Sequence, residues 1–307
     1  GGECALIASG GSVLGLGNDV LGSLRIPSHF TGTFGHKPSA GLVLNGGSFP
    51  PERLFGKRLP TPGISKYLYL GPLCRYAEDL VTSMKVLSTN EEIKMKLGKK
   101  INFQKLKICY LKEIYSYALA PVDPEITQAL QQAVSYFEKQ FNIKAREVKM
   151  PWLMDAPRCI INAAHNSVPD YSDVLTGGKG LDFNLKIDFL KSFIGKSTLS
   201  FSTLGVLNFA YFPLLYRDCK NSHYENQLET WITEFNSLLD EDTVLLMPTL
   251  PFTAPYHHEG FSLILNCCYT GIFNVLGLPS TSCPIGFNKH GMPIGIQLIG
   301  SKNNDPL

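Results

Sequence analysis

Short β-rich runs alternating with amphipathic helices predict an α/β fold, a mixed β-sheet sandwiched between helices. Three observations carry that expectation: a polar–apolar alternation at residues 105–111 (KLKICYL), a capped amphipathic pattern beginning at Asp123-Pro124, and an apolar run at residues 243–247 (TVLLM). Period two over 105–111 is the pattern of a strand with one face buried. Asp123 then offers an N-cap oxygen, and Pro124 fits the first helical position because it has no N–H to leave unpaired. The buried stripe of that helix is expected to be Ile126, Leu130, Ala133, Val134 and Phe137. Residues 145–150 (AREVKM) follow as another strand, so 105–150 forms one β-α-β unit. Residues 243–247, closed by Pro248, are a short buried strand. Near the end, glycine and proline in 269–284 (YTGIFNVLGLPSTSCP) and 291–300 (GMPIGIQLIG) set turns between a helix and two strands.

With 307 residues and 44% hydrophobic composition the chain can build a large core, and one domain over residues 1–307 is expected. A net charge of +2, from 28 basic and 26 acidic residues, gives no reason to expect a nucleic-acid partner or an anionic membrane surface. Eight cysteines are scattered without C-x-x-C pairs, which points to reduced thiols in an intracellular setting. Cys267-Cys268 and His257-His258-Glu259 lack paired ligand spacing, so no metal is expected, and no organic cofactor either. The longest apolar windows, such as residues 204–215, are too short or too interrupted to cross a bilayer.

The chemistry points to residues 1–38, where many small residues let the main chain fold tightly and approach a bound group closely. Ser23, in the turn Gly22-Ser23-Leu24-Arg25, is the candidate nucleophile, a serine placed for acyl chemistry among backbone N–H groups. Phosphate cradling is the competing use of such a stretch, yet neither G-x-x-x-x-G-K-[ST] nor a G-x-G-x-x-G with a downstream acid is present. Ser12 and Ser28 are expected to be ordinary turn serines. His29 and His36 lie close to Ser23 in sequence, but no orienting acid is defined, and core or surface histidine is the favoured expectation.

Residues 1–27, with Gly35, Lys37 and Pro38, resemble without gaps the amidase signature family of serine hydrolases, whose pattern ends in D-I-G-G-S-I-R-I-P and then G-x-K-P. Residues 71–80 (GPLCRYAEDL), 269–284 and 291–300 resemble three further elements of that family, so the anchors span nearly the whole chain. The resemblance implies the amidase signature fold, here incomplete, and a Ser–Ser–Lys catalytic unit. By position Ser23 is its nucleophile. The relay serine and the lysine would precede Gly1, and the chain, starting in mid-motif and stopping at Leu307, is expected to be a fragment truncated at both ends and inactive alone. The resemblance assigns the oxyanion hole to the backbone N–H groups of Val20, Leu21, Gly22 and Ser23, and assigns Asp19 and Arg25 to loop support. Lys37 falls in the G-x-K-P element and is expected to be structural. Leu21 stands where the family has Gly; if that position needs φ > 0 or close substrate approach, leucine strains or narrows the turn.

Residues 35–43 (GHKPSAGLV), the YSDVLTGG run from Tyr171 and residues 248–258 (PTLPFTAPYHH) resemble the branch of the family that hydrolyses fatty acyl amides to a free acid and an amine. The partner is then a hydrophobic small-molecule amide. Phe189, Phe193, Phe201, Phe209, Tyr211 and Phe212 could line an acyl channel or a membrane-facing cap, and an ordinary helical core accounts for them equally well. A membrane-associated full-length parent and a homodimer are compatible with this. Two alternatives remain. One is an amidase with a small polar substrate, of the kind that serves in a glutamine amidotransferase; the other is a non-catalytic pseudoenzyme or truncated gene product.

Overall fold

The computed structural model describes residues 1–46, 67–167, 185–197, 222–257 and 259–307, together with 53–54, 57–58 and 204. The described elements run α1 (Gly2–Ala8), β1 (Leu14–Asp19), α2 (Arg25–Thr31), β2 (Phe34–Lys37), β3 (Arg53–Leu54), β4 (Lys57–Arg58), β5 (Tyr69–Cys74), α3 (Ala77–Leu87), α4 (Glu91–Lys96), β6 (Lys107–Tyr110), α5 (Pro124–Phe141) and β7 (Arg146–Glu147). They continue with α6 (Ala156–Ser167), α7 (Leu185–Ser192), α8 (Ser222–Leu238), β8 (Thr243–Pro248), α9 (Cys268–Leu276), β9 (Ser280–Phe287) and β10 (Pro293–Ile299).

Eight strands form one mixed sheet in the order β1-β5-β2-β9-β10-β8-β6-β7. The pairs from β1 through β8 are antiparallel, whereas β6 runs parallel to both β8 and β7. Side chains alternate across a strand, and β8 shows how the two faces are used. Val244 and Leu246 pack with Leu130 and Val134 of α5, while Leu245 and Met247 pack with Ile160 of α6, Trp231 of α8 and Phe273 of α9. Because β8 is covered on both sides, it reads as a continuous apolar run. The sheet is thus sandwiched between helices, as the alternation of elements predicts.

The β-α-β unit is present, with a difference. Asp123 caps α5 by accepting from the Glu125 N–H at 2.8 Å, and Ile126, Leu130 and Val134 are buried. Its second strand shrinks to the exposed pair Arg146–Glu147 at the sheet edge, where among the described residues only β6 lies alongside to extend the ladder. Of the aromatic run, Phe201, Phe209, Tyr211 and Phe212 lie outside the described residues, as does the YSDVLTGG run.

Candidate active site

The site begins where β1 ends. Asp19, the last residue of the strand, turns its carboxylate back under the chain, where Oδ1 accepts the Gly22 N–H at 2.6 Å and Oδ2 accepts the Leu24 N–H at 3.2 Å. An aspartate accepting from backbone a few residues ahead folds the chain into a tight turn. Gly22 takes φ +123° there, and a Cβ on it would lie 2.1 Å from Thr270 Oγ1 and 2.7 Å from Ile26 Cδ1. Both the backbone conformation and the space demand glycine.

Arg25, the first residue of α2, sits fully buried beneath the turn. Its Nε and Nη2 donate to Asp19 Oδ2 and Oδ1, each at 3.0 Å, and Nη1 donates to the Thr270 carbonyl at 2.9 Å. Nη2 also donates to Asn274 Oδ1 at 2.5 Å. Asn274, from α9, returns its Nδ2 to the Asp19 backbone and side-chain oxygens, both at 2.9 Å. Gln297 of β10 lies behind Arg25, its Nε2 donating to the Tyr269 carbonyl at 2.8 Å and its Oε1 accepting from Ser280 at 2.9 Å. Burial pushes the Asp19 carboxyl pKa upward, but Arg25 and the Asn274 amide outweigh it and the net direction is down. The pair is therefore an ionised carboxylate fastened to a guanidinium.

This network holds the backbone from below and leaves Ser23 exposed at the crest of the turn. Among the described residues the N–H groups of Val20, Leu21 and Ser23 have no hydrogen-bond partner. Gly22 departs from the expected oxyanion set, because its N–H is taken by Asp19 at 2.6 Å. Leu21 escapes the anticipated strain, since the left-handed φ in the turn falls on Gly22. The Leu21 side chain packs instead into the apolar core beside Ile160 and Phe273.

The other residues near Ser23 in sequence are engaged elsewhere. His29 is buried, with Nε2 donating to the Phe252 carbonyl and Nδ1 accepting the Gly295 N–H, both at 2.9 Å. His36 bridges Thr281 Oγ1 at 2.8 Å and Asp305 Oδ1 at 3.2 Å. Lys37 is fully buried; its Nζ donates to the Pro38 carbonyl at 2.9 Å and lies 3.8 Å from the centre of the Tyr69 ring. Ser12 donates to the Leu14 carbonyl, and Ser28 is buried against Cys4.

Thr270, Asn274 and Gln297 complete the network beneath the turn, and the sequence motifs do not show it. Asn274 and Gln297 lie inside the motif segments 269–284 and 291–300, whose glycines and prolines mark turns. The available signal was a single amide side chain in each of two otherwise apolar runs, CYTGIFNVL and PIGIQLI. Such a group, once buried, must find partners. Among the described residues no three His, Cys, Asp or Glu side chains cluster as a metal site, and no helix is long and apolar enough to cross a membrane.

A mixed eight-stranded sheet between helices is the architecture of the amidase signature enzymes. The Amidase family model matches residues 1–307, and the chain belongs to that family of amide hydrolases. It is 32% identical over 314 residues to fatty-acid amide hydrolase 2-A from Danio rerio, covering 100% of this chain and 57% of that protein. It is 26% identical over 327 residues to a glutamyl-tRNA(Gln) amidotransferase component from Alkaliphilus metalliredigens, covering 98% of this chain and 62% of the relative. Among solved structures, a bacterial aryl acylamidase of the amidase signature family superposes with a TM-score of 0.64 at 23% identity, over 99% of this chain and 62% of that one. The chain thus spans less than two thirds of the length of each.

Proposed function

We propose that Ser23 is the nucleophile of an amidase that cleaves fatty acyl amides to a fatty acid and an amine. The observation that carries this reading is the exposure of Ser23 on a turn whose flanking residues Gly22, Leu24 and Arg25 are all buried and hydrogen-bonded beneath it. Ser23 Oγ adds to the amide carbonyl carbon, and the carbonyl oxygen takes up negative charge opposite the N–H groups of Val20, Leu21 and Ser23. Collapse breaks the C–N bond, the amine leaves with a proton, and water then hydrolyses the acyl ester on Ser23. A serine hydroxyl is a weak nucleophile without a base. Lys37 is unsuited to that part, being held by the Pro38 carbonyl and the Tyr69 ring. We assign it, on the family resemblance, to a lysine acting through a second serine in sequence preceding Gly1 in the parent protein. A hydrophobic acyl group is supported by the likeness to fatty-acid amide hydrolase 2-A.

Exposed Ile187, Leu190, Phe193 and Ile194 on and just after α7, beside Lys191 and Lys196, support membrane association of the parent. Phe193→Asp should weaken its co-sedimentation with lipid vesicles, and unchanged binding removes this part of the proposal.

The central test is labelling by a serine-reactive fluorophosphonate of this chain, of an N-terminally extended form, and of Ser23→Ala in the extended form. Labelling of the extended form that is lost with Ser23→Ala supports the reading. A folded extended form that takes no label points to a non-catalytic protein.

A further inference from the structure

We infer that Leu21 and Gly271 form a reciprocal fit that makes Leu21 a specificity-determining residue, walling the α6–α9 side of the Ser23 turn and favouring amides unbranched at the carbon next to the carbonyl. This rests on the reading of Ser23 as nucleophile.

Gly271 lies inside the nine-residue helix α9, and its φ is not left-handed. Its backbone therefore does not require glycine, the poorest helix former after proline. The requirement is spatial: a Cβ at 271 would lie 3.1 Å from Leu21 Cδ2 and 3.3 Å from Ile160 Cγ2. One residue earlier the relationship is inverted, since Thr270 leaves no room for a side chain at Gly22. The turn and the helix thus interlock, a side chain from each facing a glycine on the other. The Leu21 backbone is held against α9 by its own carbonyl, which accepts from Thr270 Oγ1 at 2.5 Å.

Leu21 is only half-buried. Cδ2 abuts α9, and the accessible remainder borders the turn that carries Ser23. A carbonyl carbon bonded to Ser23 Oγ, its oxygen facing the Leu21 N–H, carries its substituents past this side chain. A methylene next to that carbon passes, whereas a branch there meets an apolar wall backed by Ile160 and helix α9, which give little because the core is close-packed. One misplaced methyl in such a pocket changes rate by roughly 10–200-fold.

The test uses Leu21→Ala, Gly271→Ala, the double variant and Ser23→Ala in the N-terminally extended protein, with two readouts. In thermal unfolding, Gly271→Ala is expected to lower Tm in the parent sequence and to lower it markedly less in the Leu21→Ala background, where alanine gains helix propensity and only the 3.3 Å approach to Ile160 Cγ2 remains. If Gly271→Ala fails to fold alone, rescue by Leu21→Ala is the same result in stronger form; equal shifts in both backgrounds, or no rescue, overturn the fit. In labelling, rates are compared for a linear alkyl fluorophosphonate and one branched at the carbon attached to phosphorus. Leu21→Ala is expected to raise the branched-to-linear rate ratio about tenfold. A ratio unchanged within about twofold, with labelling still dependent on Ser23, overturns the selector alone. Labelling indifferent to Ser23→Ala overturns the nucleophile reading and the selector with it, while the difference between the two Tm shifts reports the fit independently.

Discussion

Asp19 and Arg25 meet in a two-pronged ion pair with neither side chain exposed, Nε to Oδ2 and Nη2 to Oδ1 both at 3.0 Å. Removing one partner leaves a buried charge uncompensated, a loss of about 3–5 kcal/mol. Arg25→Met is expected to destabilise by that amount in urea unfolding. Arg25→Lys should fare little better, because an ammonium cannot match both carboxylate oxygens and still reach Thr270 and Asn274. Asp19→Asn combined with Arg25→Met should be less destabilised than the sum of the single changes. The Asp19 pKa is depressed in the folded state, so its contribution is complete above the unfolded value near 3.9 and is lost as pH falls through the folded value.

Gly22→Ala is expected to cost about 3–5 kcal/mol, read as a fall in the urea midpoint, because two penalties coincide. Its φ of +123° is closed to alanine, and the added methyl would sit 2.1 Å from Thr270 Oγ1. Thr270→Gly in the Gly22→Ala background relieves only the Thr270 part of the second penalty and leaves Ile26 Cδ1 at 2.7 Å. Partial recovery is the expected outcome, and full recovery would show that backbone strain contributes nothing.

The sequence made some parts of this legible because they are local. Asp123-Pro124 caps α5 with atoms two residues apart, and the unbroken apolar run of β8 reflects a strand covered on both faces. The small residues around Ser23 announce a tight turn, but nothing in the spacing of its glycines says which one takes the left-handed conformation. The network beneath it was not legible at all. Arg25 reaches Asn274 across 249 positions, and lies against Gln297 across 272, so no window of sequence contains both ends. Leu21 misled for the same reason: the glycine that accommodates it is on α9 rather than in the turn. The strand expected at 145–150 forms over Arg146–Glu147 alone, at the edge of the sheet, where among the described residues β6 is its one partner.

His29 should supply an acid-sensitive part of the stability. Nε2 can only donate to the Phe252 carbonyl, so the proton sits there and Nδ1 accepts the Gly295 N–H. Burial lowers its pKa, against the pull of the two backbone carbonyls. The unfolded chain thus binds the proton more readily, and stability falls as pH drops below the unfolded value near 6.5, by up to about 1.4 kcal/mol per pH unit until the folded value is reached. His29→Gln presents one donor and one acceptor without titrating. Its urea midpoint should fall less than that of the parent between pH 6.5 and 5, roughly the upper end of that window. Parallel curves would mean that His29 is not the group responsible.

Lys37 titrates at the opposite end and separates a structural lysine from a catalytic one. Burial first, and the Arg25 charge second, hold its pKa well below the usual lysine value, against the upward pull of Asp19 and Asp305. Between the depressed folded value and the unfolded value near 10.4 the unfolded chain binds the extra proton, so stability rises with pH across that window. Lys37→Met keeps the length of the side chain over Tyr69 and removes the titration. It also strips the Pro38 carbonyl of its donor, a loss of about 1 kcal/mol that is offset by no longer burying an ammonium. The urea midpoint at pH 7 is expected to be no lower than in the parent, and the rise in stability toward alkaline pH should flatten. Because Nζ is engaged with Pro38 and Tyr69, labelling of Ser23 in the N-terminally extended protein should survive the change. A variant that folds and shows the flattened pH curve yet takes no label would make Lys37 the proton acceptor for Ser23, and would require the buried side chain to leave the Tyr69 ring when substrate binds.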